Sequence, residues 1–189
     1  MDIAQNVLLT IMTAATPLLI AAIGELVVER SGVLNLGVEG MMVIGAVCGF
    51  AGAILTGNAW IGVIAGIGAG ALLSLLFGFL TLSLATNQVA TGLSLTLLGI
   101  GLSGLIGEGF VGRAGVRLPT LDIPVLTDIP LVGRLVFGQD PIFYMSIALT
   151  AGVMWFLFRT RTGLTLRSIG DNHKSAHALG ISVIRYRYL

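Results

Sequence analysis

Five stretches of this chain, about residues 7–28, 34–55, 60–82, 91–106 and 141–158, stay apolar for the length that a bilayer demands. A helix needs about 20 mainly apolar residues to cross the hydrocarbon core. Lipid offers no partners to open backbone, so runs of this kind close their hydrogen bonds within helices. The alternation of a barrel strand is absent from them. The expected fold is therefore all-α: a polytopic membrane protein of about five transmembrane helices, forming one membrane domain over residues 1–189. A mean hydropathy of +1.00 agrees. So does a charged fraction of 10%, against about 25% in soluble domains. A formal net charge of +1 gives no reason to expect a nucleic-acid partner.

The ends of the spans carry the usual signals. Glu29-Arg30-Ser31-Gly32 and Thr56-Gly57-Asn58 read as tight turns. The stretch 107–140 reads as a solvent-exposed extracytoplasmic loop; it holds Pro119, Pro124, Pro130, Arg113, Arg117, Arg134, Asp122 and Asp128. Asp140-Pro141 reads as a helix start, with the carboxylate as N-cap and proline at the first helical position. Met1-Asp2-Ile3-Ala4-Gln5-Asn6 lacks a positive n-region, so no separate signal peptide is expected. Trp60, Tyr144 and Trp155 fall near span ends, as interfacial aromatics do.

Six of the ten basic residues (Arg159, Arg161, Arg167, Lys174, Arg185, Arg187) follow the fifth span. The positive-inside rule places residues 159–189 in the cytoplasm. Counting back through the spans puts Arg30 inside and the N-terminus outside.

Small residues recur at helical spacing: Gly62, Gly66 and Gly70; Gly45 and Gly49; Gly99, Ser103 and Gly107. Such stripes let helices in lipid approach closely. Gly99-Ile-Gly-Leu-Ser-Gly104 matches a dinucleotide fingerprint in form, but it lies in an apolar span with no preceding strand. Pro17 removes a backbone hydrogen bond from the first span and predicts a bend or a gate there. Cys48 is the single cysteine; it reads as a packing residue and rules out an intrachain disulfide or a cysteine-based metal cluster.

Residues 33–46, Val-Leu-Asn-Leu-Gly-Val-Glu-Gly-Met-Met-Val-Ile-Gly-Ala, set polar groups inside an apolar run. A charge at the bilayer centre costs roughly 2.5–3.5 kcal/mol on insertion scales, so it faces protein or a water-filled path. Asn35 and Glu39 are four apart and are expected on one helical face. They suit a solute path and, equally, pairing with polar groups on another helix. Glu25 is expected to reach the interface or Arg30. Asn87 and Gln88, with Thr91, Ser94 and Thr96, supply neutral donors and acceptors; a hydrated turn with intrahelical hydroxyl bonds is the favoured reading, polar pathway lining the other.

The segment 159–189 is too polar to span. Asp171 or Asn172 is expected to cap a short helix ending at Gly180, with Ala176 and Leu179 forming a small apolar face. Such a helix is a knob for a partner's socket, or simply a basic loop that enforces topology. His173 and His177 are four apart but lack a third ligand, so no metal is expected. No Gly-rich phosphate loop and no nucleophile–base pair is present, so no enzymatic chemistry is expected in this chain.

Three segments together resemble a known family. Glu29-Arg-Ser-Gly-Val-Leu-Asn-Leu-Gly-Val-Glu-Gly-Met-Met-Val-Ile-Gly-Ala46 resembles the early signature of ABC-importer permeases of the branched-chain amino-acid, ribose and nucleoside superfamily. Its Asn-Leu-Gly-Val-Glu-Gly form is most similar to the nucleoside and simple-sugar branch, as is Asn87-Gln-Val-Ala-Thr-Gly-Leu-Ser-Leu-Thr-Leu-Leu-Gly99. Gly170-Asp-Asn-His-Lys-Ser-Ala-His-Ala-Leu-Gly-Ile181 resembles the branch's cytoplasmic coupling helix, with His173 where proline is frequent and Ser175 where alanine is frequent. The resemblance implies a multi-pass permease of the bacterial plasma membrane carrying a nucleoside or simple sugar. It implies three partners: a cytoplasmic ABC ATPase that binds the ATP, an extracytoplasmic solute-binding protein, and a second permease subunit, identical or not. Gly170, Asp171, Asn172, Ala176, Ala178, Leu179, Gly180 and Ile181 would engage the ATPase, and no cofactor is implied for this chain. Family members continue beyond the coupling segment with several more spans, so a fragment or truncated product is expected. Alternatives are an ion-coupled secondary carrier using Glu39, a branched-chain amino-acid ABC permease, and an intramembrane scaffold.

Overall fold

The computed structural model describes residues 3–116, 118–119 and 138–188. Arg117, Asp122, Pro124, Asp128, Pro130 and Arg134 of the expected outer loop lie outside the described residues. Eight α-helices follow in chain order among the described residues: α1 Ile3–Arg30, α2 Val38–Thr56, α3 Ala59–Gly78, α4 Gln88–Gly107, α5 Pro141–Arg159, α6 Arg161–Asp171, α7 His173–Ala178 and α8 Val183–Arg187. A π-helical turn, Phe79–Ser83, prolongs α3, and a 3-10 turn, Glu108–Phe110, prolongs α4. Five segments are long and apolar enough to cross a membrane: Gln5–Arg30, Val38–Thr56, Ala59–Ser83, Gln88–Phe110 and Pro141–Arg159. The described chain is thus all-α, with five candidate membrane-spanning helices.

Glycine organises the tightest part of the bundle. A Cβ at Gly62 would sit 2.6 Å from the Gly49 carbonyl oxygen, and one at Gly66 would sit 2.8 Å from that of Gly45. The α2 and α3 stripes therefore pack on each other, backbone to backbone. α4 closes on the other side of α2, where a Cβ at Gly99 would meet the Gly40 carbonyl oxygen at 2.5 Å. Gly107 faces the Val47 side chain on the same contact. Between these helices lies an apolar cluster of Val33, Ile44, Leu73, Phe77 and Leu95, with Cys48 half-buried against it. Close approach matters here because lipid removes the hydrophobic drive between helices and leaves dispersion to hold them.

α1 stands apart from this unit. It packs chiefly on α5 and meets α6 near its end, but has little contact with α2. Asp140 occupies the N-cap position of α5 with Pro141 in the first turn, yet its side chain makes no capping hydrogen bond, contrary to expectation. Residues 161–171 form a helix that the sequence reading left unassigned. α6 buries Gly163, Leu166 and Ile169 on one face, while Arg167 lies over the Phe158 ring at 4.8 Å. A Cβ at Gly163 would run into the Phe156 carbonyl oxygen, so α6 folds directly back on the end of α5.

Candidate functional site

The chain between α1 and α2 is where the structure departs most from expectation. The second helix begins at Val38, not near Leu34. Asn35 therefore lies in non-helical backbone, and it does not share a helical face with Glu39. The physical reason is local. Gly32 adopts φ +78°, which reverses the chain after α1. The Asn35 carbonyl oxygen Oδ1 then accepts the Gly37 N–H at 3.0 Å, holding the next turn open.

Backbone outside a helix but packed against its neighbours needs hydrogen-bond partners from the protein. The Asn35 N–H donates to Glu25 Oε1 at 3.2 Å, and the Leu34 N–H donates to Gln88 Oε1 at 2.9 Å. Thr96 Oγ1 donates to the Leu36 carbonyl at 2.9 Å. α4 can come this close because it presents Gly92, where a Cβ would sit 2.9 Å from the Leu36 nitrogen. Side chains of α1 and α4 thus clamp residues 34–37 from two sides.

Asn35 is only 6% exposed. Among the described residues its amide nitrogen has one hydrogen bond, a long 3.7 Å donation to the Met41 sulfur. The second Glu25 oxygen, Oε2, is buried and has no hydrogen-bond partner among the described residues. The polar centre is therefore Glu25 with Asn35. Glu25 was not assigned to it from sequence, yet the signal was present: a reversal at residues 31–32 brings a residue some turns before it beside one just after it. Glu39, in contrast, is exposed in the first turn of α2. Asn87 caps α4, accepting the N–H groups of Val89 and Ala90 at 3.0 and 3.1 Å. Ser94 bonds within α4, to the Ala90 carbonyl, whereas Thr96 reaches across to α2's entry.

The other polar region folds as a capped knob. Asn172, not Asp171, caps α7: its Oδ1 accepts the N–H groups of Lys174 and Ser175, both at 3.1 Å. Gly180, at φ +79°, ends the helix. Its N–H reaches the His177 carbonyl and that of Ile181 reaches the Ala176 carbonyl, a Schellman closure. Ala176 is 3% exposed and faces the chain's own body, whereas Leu179 is 80% exposed. The expected shared apolar face of these two is thus split, and Leu179 is exposed, as Lys174 and His177 are. Asn172→Ala should cost about 1 kcal/mol of helix, speeding amide exchange over 174–178 about fivefold, while Asn172→Asp keeps the cap. Unchanged exchange in the alanine variant would refute the capping role. His173 and His177 belong to no metal-sized cluster among the described residues.

The knob is joined to the polar centre through a short relay. A Cβ at Gly170 would run into the Arg30 carbonyl oxygen, so the end of α6 lies on the α1–α2 turn. From α8, Arg187 Nε donates to the Ser31 carbonyl at 3.1 Å. Burial against this turn lowers the Arg187 pKa from its usual value. Tyr188 Oη meets Ser83 Oγ at 2.7 Å, tying the same segment to the end of α3. Arg30 and the basic segment 159–188 therefore share one end of the bundle.

A helical domain with membrane-length spans and a buried polar centre belongs to the multi-pass membrane proteins. Residues 7–189 match the family described as branched-chain amino acid transport system / permease component, and the chain belongs to that family. It is 40% identical over 193 residues to the putative glucose ABC transporter permease protein TsgC13 of Haloferax volcanii, covering 100% of this chain and 59% of the relative. It is 36% identical over 208 residues to the guanosine ABC transporter permease protein NupQ of Bacillus subtilis, covering 100% and 64%. With the nucleoside ABC transporter permease protein NupC of Lactococcus lactis it shares 31% over 195 residues, covering 97% and 62%. The chain thus spans about three-fifths of the length of these relatives. No solved structure matches it.

Proposed function

We propose that this chain is the membrane-spanning part of an ABC importer that carries a neutral polar solute, a nucleoside or a simple sugar, across the plasma membrane. The observation that carries the reading is the relay from α7 through Gly170 and Arg187 to the turn that leads into Asn35. It connects a projecting helix to a polar centre inside the bundle, which is what an ATP-driven permease requires. Family membership and relatives named for glucose, guanosine and nucleosides support the solute class. In this reading Gly170, Asp171, Asn172, Ala176, Ala178, Leu179, Gly180 and Ile181 form the coupling element, with Leu179, Lys174 and His177 meeting a cytoplasmic ABC ATPase. That partner hydrolyses ATP, and this chain does not. A solute-binding protein delivers the solute from outside, and a second permease subunit completes the pore. Residues 159–189 are cytoplasmic and the N-terminus is extracytoplasmic. ATP biases the equilibrium between inward- and outward-facing states only through contacts that differ between them.

Within the pathway, Asn35 has the strongest standing of the sequence candidates. Gln88 holds the backbone beside it at Leu34 and Asn87 caps α4, while Glu39 faces outward from this chain, where a second subunit or further protein meets it. An ion-coupled carrier using Glu39 has less support, because Glu39 is exposed in the first turn of α2 and apart from the Glu25–Asn35 centre.

The test is uptake by the complete natural transporter in proteoliposomes, comparing labelled guanosine, uridine, glucose, ribose and leucine with and without internal ATP. ATP-dependent uptake of a nucleoside or sugar that needs the binding protein is expected. Uptake driven by a proton gradient alone would overturn the reading, and ATP-dependent uptake of leucine alone would overturn the solute class.

A further inference from the structure

Two cavities meet at Asn35. A groove of about 560 Å³ runs between α1 and the α2–α3 pair, from Pro17 past Glu25 and Met41 to Ser74. A second cavity of about 240 Å³ lies beneath α8, closed by Tyr186, Arg187 and Tyr188. Val28, Asn35 and Ser74 line both. These three residues are the neck, the wall shared by the open groove and the cavity at the end where the basic segment lies.

We infer that this neck is a solute-binding constriction for a neutral, hydroxyl-bearing molecule of nucleoside or monosaccharide size. The inference rests on the permease reading and names the site within it. Three features support it. The groove falls in the size range of small-molecule sites, about 300–1,000 Å³, with apolar walls and few polar groups. The Asn35 side chain is buried at the neck, and among the described residues its amide nitrogen has one hydrogen-bond acceptor, the Met41 sulfur at 3.7 Å. A buried polar group left this way gains from a ligand acceptor, since unmet burial of a polar group is costly. Beside it, the carboxyl of Glu25 binds a backbone N–H through one oxygen and offers no cation for a ligand anion.

Charge then selects the solute. Arg187 is the cation that lines the inner cavity, and its Nε is engaged by the Ser31 carbonyl, with its terminal nitrogen 3.5 Å from that of Gly32. An amino-acid carboxylate coming along the groove would meet Glu25 and no cation among the groove's described lining residues. Hydroxyls meet both a donor, Asn35, and acceptors, Glu25 and Ser74. Met41 and Met42 add deformable, polarizable walls that suit a flat base or the apolar face of a sugar. The closing residues Tyr186–Tyr188 belong to the segment that also holds the α1–α2 turn, so movement of the knob opens or closes the inner cavity.

The experiment uses the complete transporter with its ATPase and binding protein, in a Cys48→Ala background. Ser74→Cys is labelled with a charged, membrane-impermeant thiol reagent with and without saturating guanosine or glucose. Ser94→Cys on α4 serves as the control. Solute is expected to slow modification at position 74 about fivefold and to leave position 94 unchanged. Glu25→Gln keeps the acceptor for the Asn35 N–H, and is expected to raise KM about tenfold with little change in maximal rate. A modification rate at position 74 that solute does not change, in a transporter that moves solute, would overturn the constriction and leave the permease reading standing. Absence of ATP-dependent uptake in the parent transporter would overturn both.

Discussion

Gly99→Leu is expected to destabilise the assembled bundle by about 3 kcal/mol or more, while Gly101→Leu on the same helix changes it by less than about 1 kcal/mol. The difference follows from what each Cβ meets. At Gly99 it would lie 2.5 Å from the Gly40 carbonyl oxygen and 2.7 Å from the Gly40 Cα, both backbone atoms that cannot turn aside. At Gly101 nothing lies within 4 Å. To admit a side chain at Gly99, α4 must withdraw from α2. The hydrogen bond from Thr96 to the Leu36 carbonyl and the stacking of Gly92 on the same segment then go with it. The polar centre therefore loosens along with the core cluster around Leu95. Thermal unfolding in detergent measures the effect: the Gly99 variant should melt roughly 6–12 °C below its parent. Equal shifts in the two variants would mean that propensity, not close packing, governs α4.

The contrast between these glycines also marks what the sequence could reveal. Spacing alone predicted that Gly45 and Gly49 lie on a packing face and that Gly62 and Gly66 do too, and the structure places these two stripes against each other. Gly70 belongs to the same stripe by spacing and also faces α2, but more loosely: a Cβ there would lie 3.8 Å from the Met41 carbonyl oxygen, against 2.8 Å from that of Gly45 at Gly66. Periodicity gives the face of a helix but not where along it the neighbour departs. Hydropathy found all five long spans for the same reason: each is a property of one continuous run.

The site was legible in part. Asn172, Gly180 and the helix between them were read from local capping chemistry, which needs only neighbouring residues. The helix start at Val38 was missed because Leu34 and Leu36 are apolar and extend the run, while Asn35 and Gly37 break the helix through a two-residue turn. That error placed Asn35 and Glu39 on one face. Glu25 was missed because its partner is non-local in helical terms, across a reversal that Gly32 makes possible. α6 was missed because its apolar positions, Gly163, Leu166 and Ile169, are few and one is glycine, whose packing on Phe156 leaves no hydropathy signal.

Gly170→Ala is expected to uncouple the transporter: basal ATPase activity remains, while stimulation by solute-loaded binding protein and uptake both fall at least about tenfold, a loss of about 1.4 kcal/mol or more in coupling. The added methyl would run into the Arg30 carbonyl oxygen and crowd the Gly32 nitrogen, so α6 must lift from the α1–α2 turn. Arg187 cannot then keep its hydrogen bond to the Ser31 carbonyl, a charge-assisted contact of about 1.5–3 kcal/mol. The rigid connection from α7 to Asn35 is replaced by slack, and in the permease proposed above closure of the ATPase would then no longer move the polar centre. Arg187→Met should reproduce the effect by the other route, and Arg187→Lys should restore part of it through its remaining donors. Gly152→Ala on α5, whose Cβ meets nothing within 4 Å, should leave both activities at parental level. Basal ATPase and stimulated ATPase separate the relay from simple damage. A misfolded permease loses membrane yield and both activities together, whereas a broken relay removes only the stimulated increment. If Gly170→Ala kept full stimulation and uptake, the contact between α6 and the turn would be packing without a part in coupling.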